Sequence, residues 1–116
     1  MADELSLVVS AAFNKGGIST QRSDSISVDV AGDAFTHQVQ SIPASDTALL
    51  EGVAIGNPGY IFIKNLDSTT SVTVGLTESY AIKLLAGEVA LFRAAGAIYA
   101  LSDSGSVNVE YWMIEE

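Results

Sequence analysis

Turn-forming residues recur along this chain at short intervals, and that spacing constrains its fold more than any other feature. Asn14-Lys15-Gly16-Gly17, Gly32-Asp33, Gly56-Asn57-Pro58-Gly59, Asp67-Ser68-Thr69, Ala86-Gly87-Glu88 and Asp103-Ser104-Gly105 divide the 116 residues into short segments. Gly, Pro, Asn, Asp and Ser each favour turns for their own local reasons. The segments between them are rich in β-branched and aromatic residues, and several alternate with a period of two. In Ser25–Val30, Ile26, Val28 and Val30 oppose Ser25, Ser27 and Asp29. In 107–114, Val107, Val109, Tyr111 and Met113 oppose Asn108, Glu110, Trp112 and Ile114.

Strands are expected over 5–13, 25–30, 34–42, 47–55, 60–66, 71–76, 80–85, 89–93, 97–101 and 107–114. The uninterrupted start Tyr60-Ile61-Phe62-Ile63 suggests burial on both faces, and the polar stretch Ser19–Ser25 reads as a loop. Strands repeating roughly every 8–12 residues indicate an all-β fold. The expected architecture is a single antiparallel β-sandwich, jelly-roll-like, of eight to ten strands, forming one domain over residues 1–116. Residues 1–15 are either an edge strand of that sandwich or an arm.

Composition narrows the chemistry. There is no cysteine and one histidine, His37. A disulfide framework, a thiolate nucleophile and a Cys-type zinc site are therefore excluded within one chain. No cofactor or metal is expected. Five basic against fourteen acidic residues give a net charge of −9. Nucleic acid and anionic membrane both require a positive counter-surface, so neither is expected as a partner. Charged residues are only 16% of the chain, against about 25% in an average soluble domain. Small neutral residues take their place, which points to a surface shared with another subunit. The acidic start Met1-Ala2-Asp3-Glu4 is unlike a secretory signal, and no apolar run approaches the ~20 residues of a membrane span. The chain reads as complete and made in the cytoplasm.

No constellation points firmly to catalysis, and no catalytic residue is assigned. His37 alternates with Phe35 and Val39 and reads as a half-buried strand residue with one hydrogen bond. No Gly-x-Ser-x-Gly elbow accompanies it. Asp29/Asp33, Glu110 and Glu115-Glu116 could supply paired carboxylates but read as solvated surface charge. Asp67-Ser68-Thr69 and Asp103-Ser104-Gly105 could offer oxygens to calcium, yet they lack the spacing of an EF-hand loop. The glycine runs lack the spacing of a phosphate loop. Among Tyr60, Tyr80, Tyr99, Tyr111 and Trp112, the adjacent Tyr111 and Trp112 must point to opposite faces of a strand, so one of them leaves the core.

The second half of the chain carries an ordered set of motifs. Pro58-Gly59-Tyr60-Ile61-Phe62-Ile63-Lys64-Asn65-Leu66-Asp67 is followed by Val72-x-Val74-Gly75. Then come Ile82-x-Leu84-x-x-Gly87-Glu88-x-x-Leu91-Phe92-Arg93 and Val107-x-Val109-Glu110-Tyr111. Over about residues 45–116 this order resembles small β-rich structural proteins of tailed-bacteriophage virions, in particular capsid decoration (cement) proteins. The resemblance implies a jelly-roll-like sandwich that is dimeric or trimeric. It also implies a place on the outer capsid surface, where the protein binds the major capsid protein and reinforces the shell. A tail or neck component of the same particle, or a carbohydrate-recognition module of a receptor-binding device, is the alternative. The expected partner contacts are Leu5, Leu7, Val9 and Phe13, in an apolar N-terminal arm, and Trp112.

Overall fold

A computed structural model describes residues 5–32, 34–50 and 58–115. The chain divides into two compact units, Met1–Ala31 and Gly32–Glu116. Every strand pairing is antiparallel. No helix among the described residues is long and apolar enough to cross a membrane.

The first unit is a hairpin of β1 (Leu5–Lys15) and β2 (Ile18–Val28). These two strands form a two-stranded sheet of their own, in unbroken register from Leu5↔Val28 to Lys15↔Ile18. Gly16 and Gly17 make the turn with φ of 59° and 81°. Positive φ at both central residues is the signature of a type I′ turn, whose twist matches that of the strands it joins. The expected loop at Ser19–Ser25 is therefore strand. Its composition was misleading because most of both hairpin faces is exposed, so no burial contrast marks the strand.

The second unit is an eight-stranded sandwich of β3 (Phe35–Ile42), β4 (Thr47–Ala48), β5 (Pro58–Asn65), β6 (Val72–Leu76), β7 (Ser79–Leu84), β8 (Val89–Arg93), β9 (Tyr99–Ser102) and β10 (Val107–Glu115). One sheet has the order β3-β10-β5-β8 and the other β4-β9-β6-β7. Every connection crosses between sheets except β6–β7, which is a hairpin. This interleaving of two Greek keys is the jelly-roll arrangement, as expected. Ten strands in all are described.

The core lies between the two sheets. Val107, Val109, Tyr111 and Met113 of β10 are fully buried, with Ile61 and Ile63 of β5 and Val72 and Val74 of β6. The alternation in β10 is the one read from the sequence, which left open whether Tyr111 or Trp112 leaves the core; Tyr111 lies inside. Strand β5 is not buried on both faces as expected: Gly59, Ile61, Ile63 and Asn65 are buried, while Phe62 is 41% exposed on the outer face. Pro58 and Gly59 open β5 instead of turning the chain. Pro fits there because the first residue of a strand need not donate to the ladder. Residues 51–57, including Gly56-Asn57, lie outside the described residues, as do Asp3, Glu4, Asp33 and Glu116.

Among the described residues of the expected strand over 47–55, Thr47 and Ala48 pair with Ala100 and Tyr99 of β9, and the Leu49 amide donates to the Ile98 carbonyl (2.9 Å). Beyond that point side chains of β3 and β10 hold the backbone. The Gln40 amide donates to the Ala48 carbonyl (3.1 Å) and accepts from the Leu50 amide (3.0 Å). The Leu50 carbonyl accepts from the Tyr111 hydroxyl (2.7 Å) and the Gln38 amide (3.3 Å). Strand β3 therefore turns Gln38 and Gln40 inward, because what they meet is peptide backbone, and Thr36 on the same face accepts from the Gln38 amide (2.9 Å).

Candidate functional site

The same phase sends Phe35, His37 and Val39 of β3 outward, so the polarity of this strand is inverted. Phe35 is 64% exposed and Val39 60%. Residues directly opposite on antiparallel neighbours share a face. Trp112 lies opposite His37 on one side and Phe62 on the other, and Phe62 lies opposite Leu91 of β8. A row His37–Trp112–Phe62–Leu91 thus crosses the whole outer face of the sheet. Ile114 lies opposite Phe35, and Glu110 lies between Val39 and Lys64.

Trp112 is the centre of this patch. Its ring meets Phe35 edge-on at 6.2 Å and His37 at 6.3 Å, perpendicular. The His37 ring nitrogen Nε2 hydrogen-bonds Glu110 Oε2 at 2.7 Å. Both side chains stay substantially exposed, so the bond positions the ring more than it stabilises the fold. His37, Phe62, Glu110, Tyr111 and Trp112 line a shallow, open hollow of about 400 Å³. The His37 side chain is half exposed with this one hydrogen bond, as expected of a strand residue there, and its partner is a carboxylate. Contiguous exposed apolar surface rimmed by polar groups marks interaction sites.

Three of the other aromatic candidates have partners within the sandwich. Tyr111 is fully buried. Tyr60 carries the Arg93 guanidinium 5.4 Å from its ring centroid, a cation–π contact. The Tyr80 hydroxyl donates to Asp46 Oδ1. Asp46 also accepts from the Thr77 hydroxyl (2.7 Å) and the Glu78 amide (3.2 Å). These bonds, the one from Tyr80 foremost, hold the Asp46 carboxyl below its ordinary value, and the Asp46 contact pushes Tyr80 up to about 12. Together they clamp the β6–β7 turn, where Glu78 takes a left-handed φ of 55°.

The proposed calcium turn at Asp67 closes on itself. Asp67 Oδ2 accepts from the amides of Thr69 (3.0 Å) and Thr70 (2.7 Å), and these bonds lower its carboxyl pKa. Among the described residues no group of three or more His, Asp or Glu side chains is placed to hold a metal.

On the hairpin, the expected contacts Leu5, Leu7, Val9 and Phe13 occupy alternate positions of β1 and so share one face. Val9 and Phe13 are more than half exposed, and Leu5 and Leu7 are half-buried. Opposite them on the same face lie Val28, Ile26, Asp24 and Thr20, with Ile18 opposite Lys15 on the last rung. The other face carries Ser6, Ser10, Ser19, Ser23, Ser25 and Ser27. The sequence reading missed Ile18 and Ile26, and on the sandwich Phe35, Val39 and Phe62. The alternation Phe35-His37-Val39 was visible, but nothing in it told which phase faces out.

Comparison of the chain with protein-family models, curated proteins and solved structures returns no match.

Proposed function

We propose that this protein is a non-enzymatic structural protein of a phage virion, a capsid decoration or cement protein. It sits on the outer capsid surface, self-associates and docks on the major capsid protein. The observation that carries this reading is the inverted polarity of β3, which supports the Trp112-centred outer face as a docking surface. Exposed aromatics in a contiguous apolar patch are what interface centres are made of. The motif resemblance over the second half of the chain supplies the kind of partner. A net charge of −9 suits an outward position, away from packaged DNA. Because jelly rolls host many functions, the fold alone does not decide among them.

The test is co-sedimentation with coat-protein shells. Trp112→Ala is expected to keep a cooperative unfolding transition and to weaken shell binding by about 2 kcal/mol, or roughly thirty-fold. Unchanged binding by a folded variant would refute the docking face. Mass-spectrometric copy number in purified particles separates the locations: hundreds of copies mean shell decoration, a dozen or fewer a tail or neck.

The shallow hollow favours one second reading, carbohydrate recognition. Trp112 and Phe62 offer ring faces beside the hydrogen-bonding His37–Glu110 pair. Glycan-array binding that disappears in folded Trp112→Ala, together with no shell binding by the wild type, would replace the first reading with this one.

A further inference from the structure

The hairpin poses a physical problem by itself. A lone two-stranded hairpin is at best marginally stable in water, yet this one runs eleven residues per strand. One face carries Leu5, Leu7, Val9, Phe13, Ile18 and Ile26, of which Val9, Phe13, Ile18 and Ile26 are 47–60% exposed. The sequence of rungs on this face is Leu5/Val28, Leu7/Ile26, Val9/Asp24, Ala11/Arg22, Phe13/Thr20 and Lys15/Ile18. Its only charges away from the turn are Arg22 and Asp24, on adjacent rungs at the middle. They form an exposed pair at 3.3 Å.

That pattern is complementary to its own reversal. If two copies of the face stack with their strands running in opposite senses, the two-fold axis passes between the Val9/Asp24 and Ala11/Arg22 rungs. Each β1 then lies over the other β1, and each β2 over the other β2. Asp24 meets Arg22 of the second copy, twice by symmetry. Val9 meets Ala11, a large residue against a small one. Leu7 meets Phe13, Ile26 meets Thr20 and Val28 meets Ile18, and at each end Leu5 meets Lys15, which is exposed beside the turn. Stacking with the strands in the same sense would set Asp24 over Val9 and Arg22 over Ala11. Only the reversed stack gives Arg22 and Asp24 each an opposite charge on the second copy, beyond the pair they form within one hairpin.

We propose that the apolar hairpin face is an isologous interface with a second copy of this chain, stacked strand-antiparallel across Arg22 and Asp24. Charge favours this occupant. The hairpin carries Lys15, Arg22 and Asp24, a net +1, on a chain whose net charge is −9. The chain's negative charge is therefore not concentrated at the contact, and the hairpin carries no cationic stripe for nucleic acid or anionic lipid. Strands of roughly 36 Å give a contact of about 1,000 Å² in total, at the small end of specific interfaces. Sheets stacked face to face about 10 Å apart leave room for Arg and Asp side chains to meet. The proposal rests on the structural reading above only in giving the self-association a place; shell and glycan binding through Trp112 are scored separately.

Light scattering after size exclusion at high micromolar concentration tests it. The wild type is expected to be a dimer, and so is Trp112→Ala. Arg22→Asp and Asp24→Arg are each expected to be monomers, because each sets four like charges face to face. Mixed in equal amounts, these two variants are expected to give a heterodimer, since every Asp then meets an Arg. The double swap Arg22→Asp/Asp24→Arg is expected to dimerise alone. A monomeric wild type, dimeric single variants, or a mixture that stays monomeric would each overturn the proposal. Rescue by mixing also shows that the single variants are folded. A dimeric wild type that fails to bind shells would leave this interface standing and remove the docking reading instead.

Discussion

Asn65 offers a stringent test of the sandwich. It ends β5 fully buried, yet every polar group it has is satisfied. Its side-chain amide donates to the carbonyls of Thr70 (2.9 Å) and Leu84 (3.1 Å), and its Oδ1 accepts from the Asp67 amide (2.8 Å). Its backbone bonds Glu88 and Gly87 in the β7–β8 connection. One side chain therefore ties the end of β5 to the turn after it and to the end of β7. Asn65→Ala removes three hydrogen bonds and leaves a buried carbonyl without its donor. At about 1 kcal/mol net per bond, the loss is about 3 kcal/mol, with the small void adding to it. With a urea slope near ~1.5 kcal/mol per M, the midpoint should fall by about 2 M at unchanged slope. Asn65→Asp sharpens the test. Its carboxylate would face two carbonyl oxygens in the interior, so its pKa must rise on folding. A folded-state pKa above the unfolded one makes the variant most stable at low pH and less stable as pH rises through that window. The Ala variant should show no such added dependence. A midpoint shift below about 0.5 M for Asn65→Ala would refute the reasoning, since it would mean that the three bonds contribute almost nothing.

Two further outcomes follow from the β6–β7 hairpin. Tyr80, raised to about 12 by Asp46, binds its proton more tightly folded than unfolded. Stability should therefore fall with rising pH from about 10 to 12 in thermal melts, and Asp46→Asn should flatten that limb. On the acid side, the lowered carboxyl of Asp46 contributes stability above its ordinary value of 3.8 that is lost as pH falls below it. The register shifts between Val74 and Gly75, and a Cβ on Gly75 would sit 2.4 Å from the Ser79 carbonyl oxygen and 2.8 Å from the Tyr80 Cα. Gly75→Ala should cost about 2 kcal/mol, read by urea denaturation, because the obstacle is backbone that cannot rotate away.

Legibility in the sequence followed burial contrast. Val89–Arg93 has the expected bounds and Val107–Glu115 exceeds its expectation by one residue. In β10 one face is core and the other is not, so the alternation was legible. Which of Tyr111 and Trp112 points out was not, because the bond that settles Tyr111 inside runs from its hydroxyl to the Leu50 carbonyl of another segment. In Tyr60–Ile63 of β5 both faces are apolar, and composition could not separate the core face from the exposed one. In β2 nearly every side chain is exposed, and only the Gly16-Gly17 turn, read as a boundary, carried the signal of a hairpin. The segment after Ala48 looked like strand because its apolar residues hide that Gln38, Gln40 and Tyr111 supply its hydrogen bonds from another element. Such a bond depends on tertiary placement, and no local pattern encodes it.

Strand β3 shows why periodicity without phase misleads, and why its phase bears on function. A period of two is unchanged by a one-residue slip, but the slip exchanges the two faces. Slipping β3 would bury Phe35 and Val39, a gain on the order of 2 kcal/mol for each large apolar side chain. The observed register forgoes that gain. What holds it is the set of bonds from Gln38 and Gln40 to the backbone of Ala48 and Leu50, which the slipped strand would lose by turning both glutamines to solvent. The slipped strand would also turn Ile42, fully buried in the core, out to solvent. That accounts for glutamine facing inward. It does not require phenylalanine and valine to face outward, since polar residues there would satisfy the fold equally well and keep the surface soluble. The apolar identity of Phe35 and Val39, continued across the sheet by Trp112 and Phe62, therefore answers to something other than folding. The docking role proposed for this face would supply that reason.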